Sequence, residues 1–140
     1  MIWVLITLML LPAVALAEDL PHVQWLHCSD GDTCAFNVFA LVPLPAVFGA
    51  DLGVRLSGID TPEKLGKCAK EKQLALAARD FLRSQMAGAS IVLKDVSRDK
   101  YFRIEATVEA NGVNLNQLMI QKGYAVPYQG TGPRKDWCQP

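Results

Sequence analysis

Three segments in the first half of the chain have the apolar, β-branched and aromatic composition of strands. They predict strands over residues 22–27, 33–38 and 54–59. An Asp-Gly pair at Asp30 and Gly31 separates the first two segments and is typical of a hairpin turn. Residues 39–52 are apolar but contain two prolines and a glycine, so we expect an irregular connection there rather than a central strand.

A helical period follows in the middle of the chain. It predicts a helix that begins at Cys68 or Ala69, ends at Ala87 and is stopped by Gly88. The spacing assigns one face of this helix to Leu74, Ala77, Ala78, Phe81, Leu82 and Gln85.

The last third of the chain returns to strand composition. Strands are predicted over residues 91–93 and 102–108, and an Asn-Gly turn follows the second of them. Asn114 is a suitable N-cap for a short second helix, and Gly123 ends that helix. Residues 124–128 are expected to be extended.

This order of elements predicts an α+β fold that is mainly β. Three strands, a helix, two strands and a helix fit a small antiparallel barrel of five strands with two to three packed helices. OB-type barrels are built in this way, and they often bind nucleic acid on one face. The prediction is therefore a single domain with an OB-type barrel.

The first residues have the pattern of an export signal. An almost unbroken apolar run over residues 2–11 leads to Ala-Leu-Ala at 15–17, and the first charge is Glu18. This pattern predicts a signal peptide over residues 1–17 and a mature domain over 18–140, in the periplasm or secreted. The run lacks the usual preceding Lys or Arg, which leaves an uncleaved anchor as the alternative, although a span needs about 20 residues.

The charge balance excludes one simple mode of nucleic-acid binding. Fourteen basic and fourteen acidic side chains give a formal net charge of zero. A neutral chain has no overall attraction for a polyanion, so any affinity for nucleic acid must come from the local placement of charge.

Four cysteines in a chain with an export signal predict disulfide bonds. They allow three pairings, of which we favour Cys68–Cys138 together with Cys28–Cys34. The first pair would fix the C-terminal tail to a central loop, and the second would close a tight turn. Free buried thiols are the alternative.

Charged residues lie at the ends of the predicted strands, where they can meet. Asp32 follows the first turn, Arg55 lies within an apolar strand, Asp60 and Glu63 follow that strand, and Arg103 lies near the start of another. Carboxylate oxygens are the ligands that calcium prefers. A carboxylate can also take a proton from water, and arginine binds two phosphoryl oxygens at once. These residue types are those required for phosphodiester hydrolysis.

Three motifs resemble the signature of the staphylococcal nuclease (thermonuclease) family. They are Asp-Gly-Asp-Thr at 30–33, Arg-Leu-Ser-Gly-Ile-Asp-Thr-Pro-Glu at 55–63 and Asp-Lys-Tyr-Phe-Arg at 99–103. The resemblance extends to the intervening helix and to Gly-Tyr-Ala at 123–125. It implies an exported bacterial member of that family, whose members cut DNA and RNA and leave 3′-phosphate and 5′-hydroxyl ends.

The resemblance also implies a role for each matching residue. Carboxylates of Asp32 and Asp60 and the carbonyl of Thr61 would hold Ca²⁺, and Glu63 matches the family's base or water-orienting carboxylate. The remaining matches are the phosphate-binding arginines Arg55 and Arg103 and the nucleotide contacts Lys100 and Tyr101.

The sequence departs from the family pattern in two places. Phe102 stands where the best-known members have glycine, so its ring could pack beside the phosphate site or narrow it, which concerns the fit of the substrate rather than the chemistry. Residues 39–52 are longer than the family's shortest hairpin and could form a rim over the site. Tyr128 is the nearest candidate for the tyrosines that stack on bases near the family's C-terminus. We expect a monomer with DNA and RNA as substrates, no stable protein partner, and membrane contact only through the signal peptide.

Other interpretations of single residues remain. Asp30 is interpreted as a turn residue. The lysines between Lys64 and Lys72 are interpreted as a solvated run, and the weaker alternative is that Lys64 and Lys67 guide a polyanion to the site. His27, Cys28 and Cys34 do not have the spacing of a zinc site. For the whole chain, the alternatives are a barrel that binds nucleic acid or protein without catalysis, and an exported scaffold stabilised by disulfides.

Overall fold

The computed structural model describes residues 18–39 and 49–140. The predicted signal peptide over 1–17 lies outside the described residues, as does most of the predicted connection over 39–52. Neither helix in the described part of the chain is long and apolar enough to cross a membrane.

The described residues form short strands and two helices. In chain order these are β1 Glu18–Leu20, β2 Val23–Cys28, β3 Thr33–Val38, β4 Leu52–Leu56, β5 Ile59–Asp60, α1 Ala69–Met86, β6 Ile91–Arg98, β7 Ile104–Ala110, β8 Val113–Asn114, α2 Leu115–Gln121 and β9 Val126–Pro127. The predicted mainly-β composition with two helices is confirmed.

Most strands belong to one mixed sheet. Its strands are hydrogen bonded in the order β1-β6-β7-β4-β3-β2, β8 pairs with β7, and β5 and β9 form a separate pair. The pair β4–β7 is parallel, which corrects the expectation of a purely antiparallel barrel. The described sheet is an open path with β1 and β2 at its two ends, so the closed five-stranded barrel stays a prediction.

Helix α1 covers the core side of this sheet. The Cys68 sulfur caps its first turn by accepting a hydrogen bond from the Glu71 amide at 3.4 Å. The buried face runs through Glu71, Ala75, Ala78, Leu82 and Met86, whereas Ala77 is exposed. The predicted face was therefore partly wrong, because the stripe is rotated toward Ala75 and Met86. Side chains from this face join Phe36, Leu56, Leu93 and Met119 in the core.

The predicted strand 54–59 is divided in the structure. Strand β4 ends at Leu56, Gly58 turns the chain with a φ of 74°, and β5 then pairs with β9. The buried Asn116 fixes this turn, because its Nδ2 donates to the carbonyls of Ser57 (2.8 Å) and Ala106 (3.1 Å). The turn determines where Asp60 lies.

Candidate active site

Arg55 lies on β4 and meets Asp32, the residue directly before the paired strand β3. The register places Arg55 opposite Thr33, and its Nη1 lies 2.9 Å from Asp32 Oδ2. Asp32 is only 4% exposed, and its other carboxylate oxygen accepts a hydrogen bond from the Thr33 hydroxyl at 3.0 Å. Burial raises the pKa of Asp32 to about 7, against the opposing effect of Arg55. The charged form of this carboxylate is therefore costly unless a cation compensates it.

Asp60 is buried completely in the short strand β5. One carboxylate oxygen, Oδ1, accepts a hydrogen bond from Arg134 Nε (2.7 Å) and forms an ion pair with Arg134 Nη2 (2.5 Å). The other oxygen, Oδ2, has no hydrogen-bond donor among the described residues. A buried carboxylate oxygen without a donor is unusual and indicates a further partner, such as water or an ion, at this position.

Glu63 lies on the loop that follows β5. Its carboxylate accepts a short hydrogen bond from Arg134 Nη1. Its backbone amide donates to Glu71 Oε1 at 3.4 Å, and the Lys67 amide donates to Glu71 Oε2 at 2.9 Å. A Cβ at Gly66 would lie 2.4 Å from the Glu71 carboxyl carbon, so a side chain there would displace the Glu71 carboxylate. The buried Glu71 carboxylate thus shapes the loop that presents Glu63, a role that the helical pattern did not predict.

Arg134 was not predicted as a site residue. Besides its bonds to Asp60 and Glu63, its Nη2 approaches the Thr61 carbonyl at 3.4 Å. Burial lowers the pKa of Arg134, but hydrogen bonds to Glu63 and Asp60 outweigh that effect and raise the pKa above its ordinary value. No motif marks this residue, and its only signal in the sequence is a basic position close to Cys138.

One disulfide bond closes the β2–β3 turn, and another joins the C-terminal tail to the start of α1. Cys28 is bonded to Cys34 and Cys68 to Cys138, which is the pairing favoured from the sequence. Trp137, only 6% exposed, anchors the same tail. Zinc cannot be held by Cys28 and Cys34, because both sulfurs are used in their disulfide.

The turn between β6 and β7 carries a second basic group. Asp99 accepts hydrogen bonds from the Tyr101 and Arg103 amides at 2.8 and 2.9 Å, and from Arg103 Nε at 2.7 Å. Burial raises the pKa of Asp99, but these hydrogen bonds outweigh it and lower the pKa below its ordinary value. Lys100 donates to the Gly130 carbonyl at 3.0 Å, and Tyr101 is 68% exposed. The turn is rigidly held and presents its basic groups outward.

Two cavities bring the predicted residues together. The larger, of about 720 Å³, and the smaller, of about 270 Å³, share four lining residues, which are Arg55, Glu63, Arg103 and Arg134. Lys100, Tyr101 and Tyr128 line only the larger cavity, whereas Asp32 and Thr61 line only the smaller one. The structure thus gathers the separate motifs of the sequence around one continuous opening, with the Asp60 carboxylate buried and joined to it through Arg134.

Comparison with known proteins identifies this arrangement. The family described as staphylococcal nuclease homologue matches residues 53–137, which is more than half of the chain. The chain belongs to the staphylococcal nuclease homologue family.

The family's matched region contains Arg55, Asp60, Glu63, Arg103 and Arg134. A probable endonuclease of Schizosaccharomyces pombe is 32% identical over 133 residues, covering 86% of this chain and 58% of that protein. An uncharacterized protein of Bacillus anthracis is 35% identical over 104 residues, covering 72% of this chain and 44% of that protein. An uncharacterized endonuclease of Escherichia coli is 34% identical over 77 residues, covering 54% of this chain and 46% of that protein. The chain thus spans about half the length of these relatives.

The donor types at this site of the staphylococcal nuclease homologue are those that a calcium ion takes. Calcium takes carboxylate and carbonyl oxygens, and the site offers the carboxylates of Asp32 and Asp60 and the carbonyl of Thr61. The Asp60 oxygen without a donor and the raised pKa of Asp32 both indicate carboxylates that a cation would stabilise. Another group of close donors, formed by Cys68, Glu71 and Cys138, does not fit a metal because its sulfurs form a disulfide.

Proposed function

We propose that this chain is a calcium-dependent nuclease that hydrolyses phosphodiester bonds of DNA and RNA. The observation that carries the proposal is the shared lining of the two cavities. Glu63 lies there with Arg55 and Arg103, and Asp32 lines the smaller cavity beside them. The family and the endonuclease names of two relatives support the same reaction class.

Asp32, Asp60 and Thr61 would hold the calcium ion. When bound, the ion supplies Lewis-acid polarisation of a phosphoryl oxygen and orients water. The protein contributes the rest of the site by placing these ligands on three segments, the β2–β3 turn, β5 and the loop after β5. The ligand carboxylates are buried, so water does not compete with the ion for them.

Glu63 takes the proton of the attacking water in this proposal. As the water oxygen bonds to phosphorus, the bond to the 5′ oxygen breaks, and that oxygen leaves and takes up a proton. The products carry a 3′-phosphate and a 5′-hydroxyl. Glu63 is half exposed at the opening, which gives water access to its carboxylate. General base catalysis of this kind contributes about 10²- to 10⁴-fold to the rate.

Arg55 and Arg103 stabilise the charge that develops on the phosphoryl oxygens. Both line the two cavities, and each is held by a carboxylate, Arg55 by Asp32 and Arg103 by Asp99. Fixed guanidinium groups need no reorganisation when charge develops, and this preorganisation is a large part of electrostatic catalysis.

The larger cavity accommodates the nucleotide beyond the cut bond. Lys100 and Tyr101 would contact a terminal phosphate, and Tyr128 would lie against a base. In the structure the Tyr128 hydroxyl donates to the Gly132 carbonyl at 3.2 Å, which holds its ring beside the opening. The protein would be exported, because residues 1–17 have the pattern of a signal peptide.

The direct test is hydrolysis of heat-denatured DNA and of RNA by the purified chain 18–140, in millimolar calcium and in excess chelator. Cutting in calcium alone, with products that a 3′-phosphatase can act on, supports the proposal. A folded, oxidised protein that binds DNA without cutting it would instead support the second candidate, a barrel that only binds nucleic acid. The ion pair of Arg134 with Glu63 is the observation that favours that candidate.

A further inference from the structure

One guanidinium contacts both β5 and the loop that follows it, where Asp60, Thr61 and Glu63 lie. Arg134 donates to the Asp60 carboxylate and to the Glu63 carboxylate, and it approaches the Thr61 carbonyl. Asp60 and Thr61 are two of the three residues proposed to bind calcium. We propose that Arg134 is a resident cation of this site, that calcium must displace it, and that Arg134 thereby sets the calcium affinity of the protein. The proposal rests on the proposed function for the identity of the ion.

A positive charge stabilises the ionised Asp60 carboxylate when calcium is absent. Asp60 is 0% exposed, and an ionised carboxylate buried without a counter-charge is strongly unfavourable. Arg134 supplies that charge with a hydrogen bond from Nε and an ion pair from Nη2, both to Oδ1. An arriving calcium ion would bind the free Oδ2 of the same carboxylate and the Thr61 carbonyl that Arg134 Nη2 approaches, and it would repel the guanidinium at close range. Binding of the two cations is therefore mutually opposed.

The structure leaves a path for Arg134 to withdraw. Its side chain is 41% exposed, and it lines both cavities, so it can turn toward solvent without moving the core. Asp32, the other proposed carboxylate ligand, keeps its own partner in Arg55. Exchange of cations would thus involve Arg134 and its tail rather than the sheet.

The tail that carries Arg134 is anchored on both sides. Before it, the Tyr128 amide donates to the Gly58 carbonyl at 2.9 Å. After it, Trp137 is buried and Cys138 is bonded to Cys68. A tethered side chain competes at a high effective concentration, which a free guanidinium in solution would not reach. Opening the Cys68–Cys138 disulfide should therefore weaken the competition of Arg134 in the same direction as its removal.

The test is calorimetric titration of the oxidised protein with calcium chloride, without nucleic acid. We expect Arg134→Gln to bind calcium about 10-fold more tightly than the wild type. Lys135→Gln is the matched control, because it removes the same charge from the next position. The Lys135 ammonium lies over the Trp137 ring at 4.6 Å, whereas Arg134 pairs with Asp60 and Glu63. Calcium binding by Lys135→Gln should stay within about twofold of the wild type.

A second variant and the melting temperature distinguish a change in calcium affinity from a loss of folding. Cys68→Ser/Cys138→Ser keeps Arg134 but frees the tail, and serine is a good N-cap for α1. Both it and Arg134→Gln should show a lower melting temperature than wild type in chelator and a larger rise in that temperature when calcium is added. Equal calcium affinity in wild type and Arg134→Gln, or weaker binding by the variant, would overturn the inference. Absence of calcium binding in every variant would overturn the proposed cation site as well, which separates the two failures.

Discussion

Asp32 Oδ2, directly before β3, lies 2.9 Å from Arg55 Nη1 on the paired strand β4. Both side chains are largely buried, so each compensates the charge of the other in a place that water scarcely reaches. The pair joins a proposed cation ligand to a proposed phosphate ligand. Stability and function are therefore coupled at this position.

Replacing Arg55 should destabilise the protein. We expect Arg55→Met to lower the free energy of unfolding in chelator by about 3 kcal/mol, because Asp32 keeps its burial and loses its counter-charge. Calcium should restore part of the loss, which urea unfolding with and without calcium would measure. The control is Arg79→Met, since Arg79 pairs with the exposed Asp80 and should contribute less than about 1 kcal/mol. Equal losses in the two variants would contradict this account of the pair.

The two disulfides should differ in their effect on stability. Cys68–Cys138 spans 70 residues of sequence and Cys28–Cys34 spans 6. In the chain-entropy model, removal of the long bridge costs about 4 kcal/mol and removal of the short one about 2 kcal/mol. Double serine variants of each pair, compared by urea unfolding, would measure the difference. A larger loss on removing Cys28–Cys34 would show that native-state packing outweighs chain entropy here.

Phe102 occupies a backbone conformation that favours glycine. Its φ is 64°, its ring is 77% exposed, and it lies in the turn before β7. A left-handed conformation costs a residue with a side chain roughly 1–2 kcal/mol, and the greater flexibility of unfolded glycine offsets part of that. We expect Phe102→Gly to raise the free energy of unfolding by up to about 1 kcal/mol. Phe102→Ala removes the ring but keeps the Cβ, so an equal gain in that variant would show that backbone strain is not the cause.

The sequence predicts the motif residues of the site better than their surroundings. Asp32, Arg55, Glu63 and Arg103 belong to motifs that resemble those of the family, and the structure places them along the two adjoining cavities, while their roles stay a prediction. Strand boundaries were less accurate. The predicted strand 102–108 begins only at Ile104, because the turn that holds Phe102 occupies the preceding residues.

Contacts made over long distances in sequence could not be predicted. The partners Arg134 and Asp60 are 74 residues apart, and no local pattern marks Arg134 as different from its neighbour Lys135. The contact of Glu71 with the loop of Glu63 could not be predicted either, because a carboxylate in the first turn of a helix is usually explained by the helix dipole. The parallel pair β4–β7 likewise depends on how α1 and β6 return the chain, which composition does not specify.

The central claim is that Glu63 performs the proton transfer of phosphodiester hydrolysis. The most direct measurement is single-turnover cleavage of denatured DNA in calcium by wild type and Glu63→Gln, with DNA affinity and melting temperature measured in parallel. Glu109→Gln, which alters a carboxylate paired with Lys94 on the sheet, is the control for the change of charge. We predict that Glu63→Gln cuts about 10²- to 10⁴-fold more slowly with affinity and folding retained. Undiminished cutting by that variant, or parallel loss of folding and affinity, would contradict the claim.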